Sequence, residues 1–298
     1  MIRQRLIVGA SVVAAGLLVA ALLVRNTDAD AGVVSAENVA GSASDASVGT
    51  NRSAIPDGPF DSQRVQLEAA AANGDAHAAF RLGQAIAHCL NYSPVASGRA
   101  AQLMAELIAQ AGTHIRIGDR PLGDERSIDM VLFAQQEGER LCADTDSLRT
   151  TPPTLDAFHY IAQAAQAGHP GAAALYPDLA FREFRTPAEL IENADEVERR
   201  RERARSYLLR SVRSGAPEAL LAASKAYSAD GWLARDPEQA LAYWLTYAAT
   251  DDFRRIPESL ANERTAELEG MATASQRERA AAQAARIMGL SGGRADAQ

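Results

Sequence analysis

Nucleophilic or acid–base work needs His, Cys, Ser or carboxylate side chains held where protons can pass between them, and in this chain such residues are scattered. Its five histidines, His77, His88, His114, His159 and His169, are dispersed with no metal-ligand spacing, and the two cysteines, Cys89 and Cys142, form no C-x-x-C or His–Cys pattern. His159 follows Asp156 by about one helical turn and reads as a helix histidine rather than half of a catalytic pair. His77 and His169 fall in loops or first helical turns, where exposure is expected. Nucleophile elbow, P-loop, dinucleotide fingerprint and metal-binding helix are all missing, so no cofactor, metal or small-molecule substrate is expected.

Recognition is the other kind of chemistry, and here one cluster stands out. Tyr227, Trp232, Tyr243, Trp244 and Tyr247 fall within 21 positions. Tyr and Trp offer large contact area with a polar handle. Trp232 and Tyr247 are the two expected to be exposed and to meet a partner.

These residues need helices to carry them. Hydrophobic residues make up 47% of the 298 positions but aromatics only 5%, so the apolar content is largely Ala, Leu, Val and Ile. Ala and Leu are strong helix formers, and long alternating β-branched runs are absent, which makes the class all-α. A net charge of −8 excludes a general nucleic-acid binder, because phosphate recognition needs clustered positive charge. Lys225 is the only lysine. The charged run Asp195–Arg203 pairs Asp195 with Arg199 and Glu196 with Arg200 at i, i+4, the pattern of a solvated helix face.

Internal similarity organises the rest. Ala70-Ala71, Gly74, Ala78 and Leu82-Gly83 recur as Ala164-Ala165, Gly168 and Ala172, and again as Ser211-Val212, Gly215, Ala219, Ala223 and Tyr227, followed by Gly231, Asp236-Pro237, Ala240 and Trp244. Each glycine supplies the left-handed residue that ends a helix, and the alanine four positions on lets the next helix lie close. Gly168 and Gly215 are 47 residues apart and Gly74 and Gly168 are 94, which predicts a degenerate unit between the first two. Residues 204–249 resemble the Sel1-like repeat, a relative of the tetratricopeptide repeat. The match is partial over 67–86 and 158–176 and weak between Cys89 and Asp156. The resemblance implies an αα-superhelix over 61–290 whose repeat residues are mainly architectural, with a concave face for protein binding. Ile86 and Ala223 stand where the family has Tyr and Leu, and Tyr176-Pro177 where it has Leu-Gly.

Within the weak stretch, Ala96–Ala111 and about Glu125–Leu141 read as helices, placing Cys89 and Cys142 at helix ends. Export would put the two cysteines in an oxidising compartment, and a disulfide between them is expected. Pro257–Leu290 reads as two last helices, Glu258–Met271 and Gln276–Leu290, the second a cap with Ala280, Ala284, Ile287 and Met288 on one face. Residues 291–298 are expected to fray.

The amino terminus sets the compartment. Arg3 and Arg5 precede an uncharged stretch, Leu6–Val24, whose 19 residues approach the ~20 that span a bilayer. The positive-inside rule keeps 1–5 cytoplasmic and exports the chain beyond Val24. Residues 25–60, rich in Ser, Gly, Ala, Asp and Asn, read as a flexible tether with a reach on the order of 30 Å. The expectation is a single-pass protein of the bacterial inner membrane with a periplasmic interaction domain and an envelope protein as partner. The alternatives are a secreted domain cleaved after Ala31, and an exported hydrolase. For the second, Glu258-Ser259 resembles the catalytic Glu-Ser of lytic transglycosylases, although the Gly-Leu-Met-Gln-type segment expected downstream is missing.

Overall fold

The structure, a computed structural model, describes residues 58–95, 97–111, 114–117, 120–184, 186–229 and 231–295. The expected anchor at 6–24 and the tether up to residue 57 lie outside the described residues. Within them the chain is all-α: thirteen α-helices, one 3-10 turn and a two-residue antiparallel ladder, Arg116–Ile117 with Arg120–Pro121. No helix of the described residues is long and apolar enough to cross a membrane.

Three helix pairs turn on the three repeated glycines. Helices α1 (Phe60–Ala72) and α2 (Ala76–Cys89) flank Gly74. The second pair is α6 (Ala157–Gln166) and α7 (Pro170–Ala180), around Gly168; the third is α9 (Ala194–Arg213) and α10 (Pro217–Ala226), around Gly215. Between these pairs lie α3 (Ser97–Ala111), α4 (Glu125–Leu141), α5 (Asp146–Thr150) and α8 (Pro187–Glu192). The glycines have φ of 89°, 92° and 75°, a region that costs any other residue free energy.

The alanine doublets have their reason at these turns. Gly74 N–H donates to Ala71 and Asp75 N–H to Ala70; Gly168 N–H donates to Ala165 and His169 N–H to Ala164. These paired hydrogen bonds satisfy the last carbonyls of the first helix. The second helix of the pair is then capped by Asp75, whose carboxylate accepts from Ala78 N–H at 2.9 Å, or by His169, whose Nδ1 accepts from Ala172 N–H at 3.4 Å. Ala78, Ala172 and Ala219 are fully buried, as close helix approach requires.

The stacking order differs from the spacing argument. Helix α2 lies along α6, so the first two glycine-centred pairs touch directly and no degenerate unit stands between them. The described residues between 90 and 156 lie outside this succession instead. They return through α5, where Leu148 is fully buried, Ser147 N–H donates to the Asp61 carboxylate, and Arg64 donates to the Ser147 carbonyl at 2.8 Å. Burial of Leu148 against the first helix pair, invisible to local periodicity, anchors the return of this segment.

After the third pair, Gly231 turns the chain towards α11 (Pro237–Ala248), capped by the Asp236 carboxylate. A Cβ on Gly231 would lie 2.0 Å from the Ala226 carbonyl oxygen, so close backbone approach requires glycine there. The 3-10 turn Asp251–Arg255 leads to α12 (Glu258–Met271) and α13 (Ala274–Ala295). Helix α13 packs on α11 through Ala280 and Ala284, both buried, whereas Met288 is exposed. The last helix runs to Ala295 rather than ending near Leu290.

Candidate functional site: a strapped cavity

The second helix of each pair points the same two positions at one space. Six residues beyond Gly74, Gly168 and Gly215 stand Phe80, Ala174 and Leu221; ten beyond stand Gln84, Asp178 and Lys225. One row is thus largely apolar and the next polar, one helical turn away. Together they form one wall of a cavity of about 310 Å³.

Helix α4 closes the opposite side with Phe133, Glu137 and Leu141. It is held at both ends. At one, Cys142, the residue after α4, is disulfide-bonded to Cys89 at the end of α2, with Cα atoms 5.3 Å apart. At the other, Ser259 Oγ donates to Asp129 and Arg120 pairs with Glu263, both contacts reaching α12. Midway, Gln135 Nε2 donates to the Tyr92 hydroxyl at 3.3 Å, and the Tyr92 ring occupies the space a Cβ on Gly138 would need. Residues 120–142 therefore run as a strap between the first helix pair and α12.

The remaining lining comes from Trp232, Trp244, Tyr247 and the turn carrying Asp252, Arg255 and Ile256. The structure corrects one expectation here. Tyr247 is only 4% exposed, because its ring packs against Trp244 and Phe253 with centroids 5.9 and 5.8 Å apart. Trp232 is half-buried and touches both hydrophobic clusters, the one built on the first two pairs and the one built on α10, α11 and α13. Trp244 is buried, its Nε1–H donating to Thr265 Oγ1 at 2.8 Å. Tyr227 is half-buried and stacks on Tyr243 with centroids 6.0 Å apart; Ala240 is fully buried.

Charges in the cavity are mostly matched. Lys225 Nζ is 3.6 Å from Asp178, Arg255 pairs with Asp252 at 3.0 Å and Glu137 with Arg140 at 2.7 Å. His88 on the wall is held below the usual imidazole range by burial, with Arg182 adding to the effect and Asp178 opposing it. The Tyr247 hydroxyl is pushed up to about 12, first by burial and then by Asp252, with Glu137 and Glu218 contributing and Arg255 opposing. Ser224, also on this wall, is fully buried and its Oγ has no hydrogen-bond partner among the described residues. A serine nucleophile needs a base within hydrogen-bonding reach; none is set against Ser224.

The other candidates stand apart from this cavity. Asp156 uses its carboxylate to accept from His159 N–H at 2.8 Å, so it caps α6 and makes no dyad with the imidazole. Glu258 is exposed in the first turn of α12 and does not line the cavity. His169 is half-buried rather than exposed, its ring stacked on Phe80. None of the wall residues belongs to a sequence motif. Their signal is the constant offset from the repeat glycine, readable once the glycines are aligned.

Comparison with protein-family models, with curated proteins and with solved structures gives no match for this chain.

Proposed function

We propose that this chain is a non-enzymatic interaction module, an αα-solenoid of Sel1-like character that holds a segment of a partner protein in the strapped cavity. Support for the solenoid comes from three glycine-centred helix pairs that pack in succession. The observation that carries the function is the wall itself: equivalent positions of successive helix pairs face one cavity, which is how repeat proteins assemble extended binding surfaces. Matched ion pairs over an apolar and aromatic lining suit recognition, since polar groups fix orientation while apolar area supplies affinity. The uncharged stretch 6–24 and the flanking arginines support display on the periplasmic side of the bacterial inner membrane, with an envelope protein as partner.

A photo-crosslinking side chain placed at Leu221, on the wall, and separately at Val65, exposed on α1, tests the docking site in intact cells. A defined adduct from Leu221 and none from Val65 is expected. Equal adducts at both, or none at either, would sink the proposal. The amino terminus of the exported protein tests the anchor: a mature chain beginning at Gly32 would replace it with a secreted domain.

A further inference from the structure

Glu218 brings to the cavity a charge that the fold does not answer. It stands three residues beyond Gly215, one helical turn before Leu221 and Ala222 and two before Lys225, and all four line the cavity. It is exposed in the first turn of α10, so its carboxylate is at the cavity's rim and open to an incoming group. The dipole of that turn favours it as an anion. Among the described residues Glu218 makes no hydrogen bond and no ion pair.

The other charges on the lining are taken. Lys225, about 10 Å along the helix from Glu218, faces Asp178; Arg255 pairs with Asp252, Arg264 with Glu267 at 2.6 Å, and Glu137 with Arg140. Among the described lining residues an anionic occupant thus finds no free cation, whereas a cationic one finds Glu218. The rest of the surface is ring and aliphatic, with Phe133, Leu221 and Trp232 prominent. A volume of about 310 Å³ is at the small end of ligand sites, which run from roughly 300 Å³ upwards. It admits one long side chain rather than a helix.

We infer that the cavity receives an arginine side chain from the partner segment, its guanidinium paired with the Glu218 carboxylate and its methylene stem against the apolar lining. The inference rests on the reading that this cavity is the docking site. A guanidinium matches a carboxylate with two parallel N–H donors, lies flat on aromatic rings, and is more weakly hydrated than an ammonium. It therefore loses less than a lysine would on entering a cavity lined with rings.

The test titrates the purified full chain, in phosphatidylcholine nanodiscs, with N-acetyl-L-argininamide and with N-acetyl-L-citrullinamide, its uncharged isostere, followed by saturation-transfer NMR. The arginine amide is expected to bind about three- to tenfold more tightly, between the effect of a fully exposed ion pair and that of a buried charge-assisted hydrogen bond. Glu218→Gln should bring the ratio to near one and leave the citrulline amide unchanged, which also reports that the variant is folded. Glu202→Gln, the same charge change at an exposed position of α9 outside the lining, should keep the preference. No saturable binding, equal affinities in the wild type, a preference that survives Glu218→Gln, or a lysine amide that binds as tightly would overturn the arginine assignment. Crosslinking from Leu221 that persists alongside such a result leaves the docking site standing, and its loss removes both.

Discussion

The ring of Phe80 lies over the imidazole of His169, centroids 4.2 Å apart and planes 22° from parallel, joining the first helix pair to the second beside the cavity. Burial in this contact, with His77 adding and Asp75 opposing, pushes the His169 pKa down to about 4. Between about 6.5 and 4 an unfolded chain takes up a proton that the native imidazole refuses. Stability from this residue is therefore complete above about pH 6.5 and lost as pH falls towards 4, on the order of 2–3 kcal/mol. Protonation also removes the acceptor that caps α7. His169→Asn keeps a good cap without the titration. Urea midpoints at pH 7.5 and 4.5 should fall further for the wild type than for the variant; parallel losses would refute this.

Reducing the disulfide should cost roughly 4 kcal/mol, the loop-entropy value for a loop of 53 positions. Amide exchange should then accelerate first in α4, which loses the attachment at its carboxyl end. Native-state hydrogen exchange with and without a dithiol reductant reads this directly. Unchanged protection in α4 would show that the contacts to α12 hold the strap by themselves.

Three glycines should rank by what surrounds them. Gly231→Ala forces a methyl group onto the Ala226 carbonyl and should be the most damaging, by several kcal/mol or failure to fold. Gly168→Ala meets strain at φ 92° and should cost about 1–2 kcal/mol. Gly270→Ala, inside α12 with open space around it, should stabilise by roughly 0.5–1 kcal/mol. Denaturation midpoints of the three variants would expose any other order.

Ser224→Ala and Ser127→Ala should each raise stability by about 1 kcal/mol, because each removes a buried hydroxyl that nothing among the described residues satisfies. Thr246→Ala, which removes a satisfied hydroxyl, is the contrasting case and should not stabilise. Thermal melts of the three, taken without any added ligand, make the comparison. A loss of stability in Ser224→Ala would mean that the hydroxyl already has a partner in solution.

Local features were legible in the residues themselves. A helix that ends in the left-handed region strongly favours glycine, so Gly74, Gly168 and Gly215 mark their turns. The helices read at about Glu125–Leu141 and at Glu258–Met271 start after Asp124 and Pro257, as the structure has them. Cys89 and Cys142, at helix ends, are bonded. What stayed hidden depends on contacts between distant positions. The path of residues 90–156 is decided by Leu148 and Ser147 docking on α1, and the burial of Tyr247 by Phe253 folding back across it. The cavity has no local signature, since it exists only where successive helices stack and the strap crosses them.

The strap also changes how the molecule should come apart. In an array whose helix pairs touch only their neighbours, stability is close to a sum of local terms and the ends can fray independently. Here Cys142 ties one end of α4 to the first pair, while Asp129 and Arg120 tie the other end to α12. Loosening either terminus must therefore disturb the opposite one. The chain behaves as a closed loop rather than an open row, so unfolding should be a single cooperative transition, and mechanical pull on the amino-terminal side is shared by helices far along the chain.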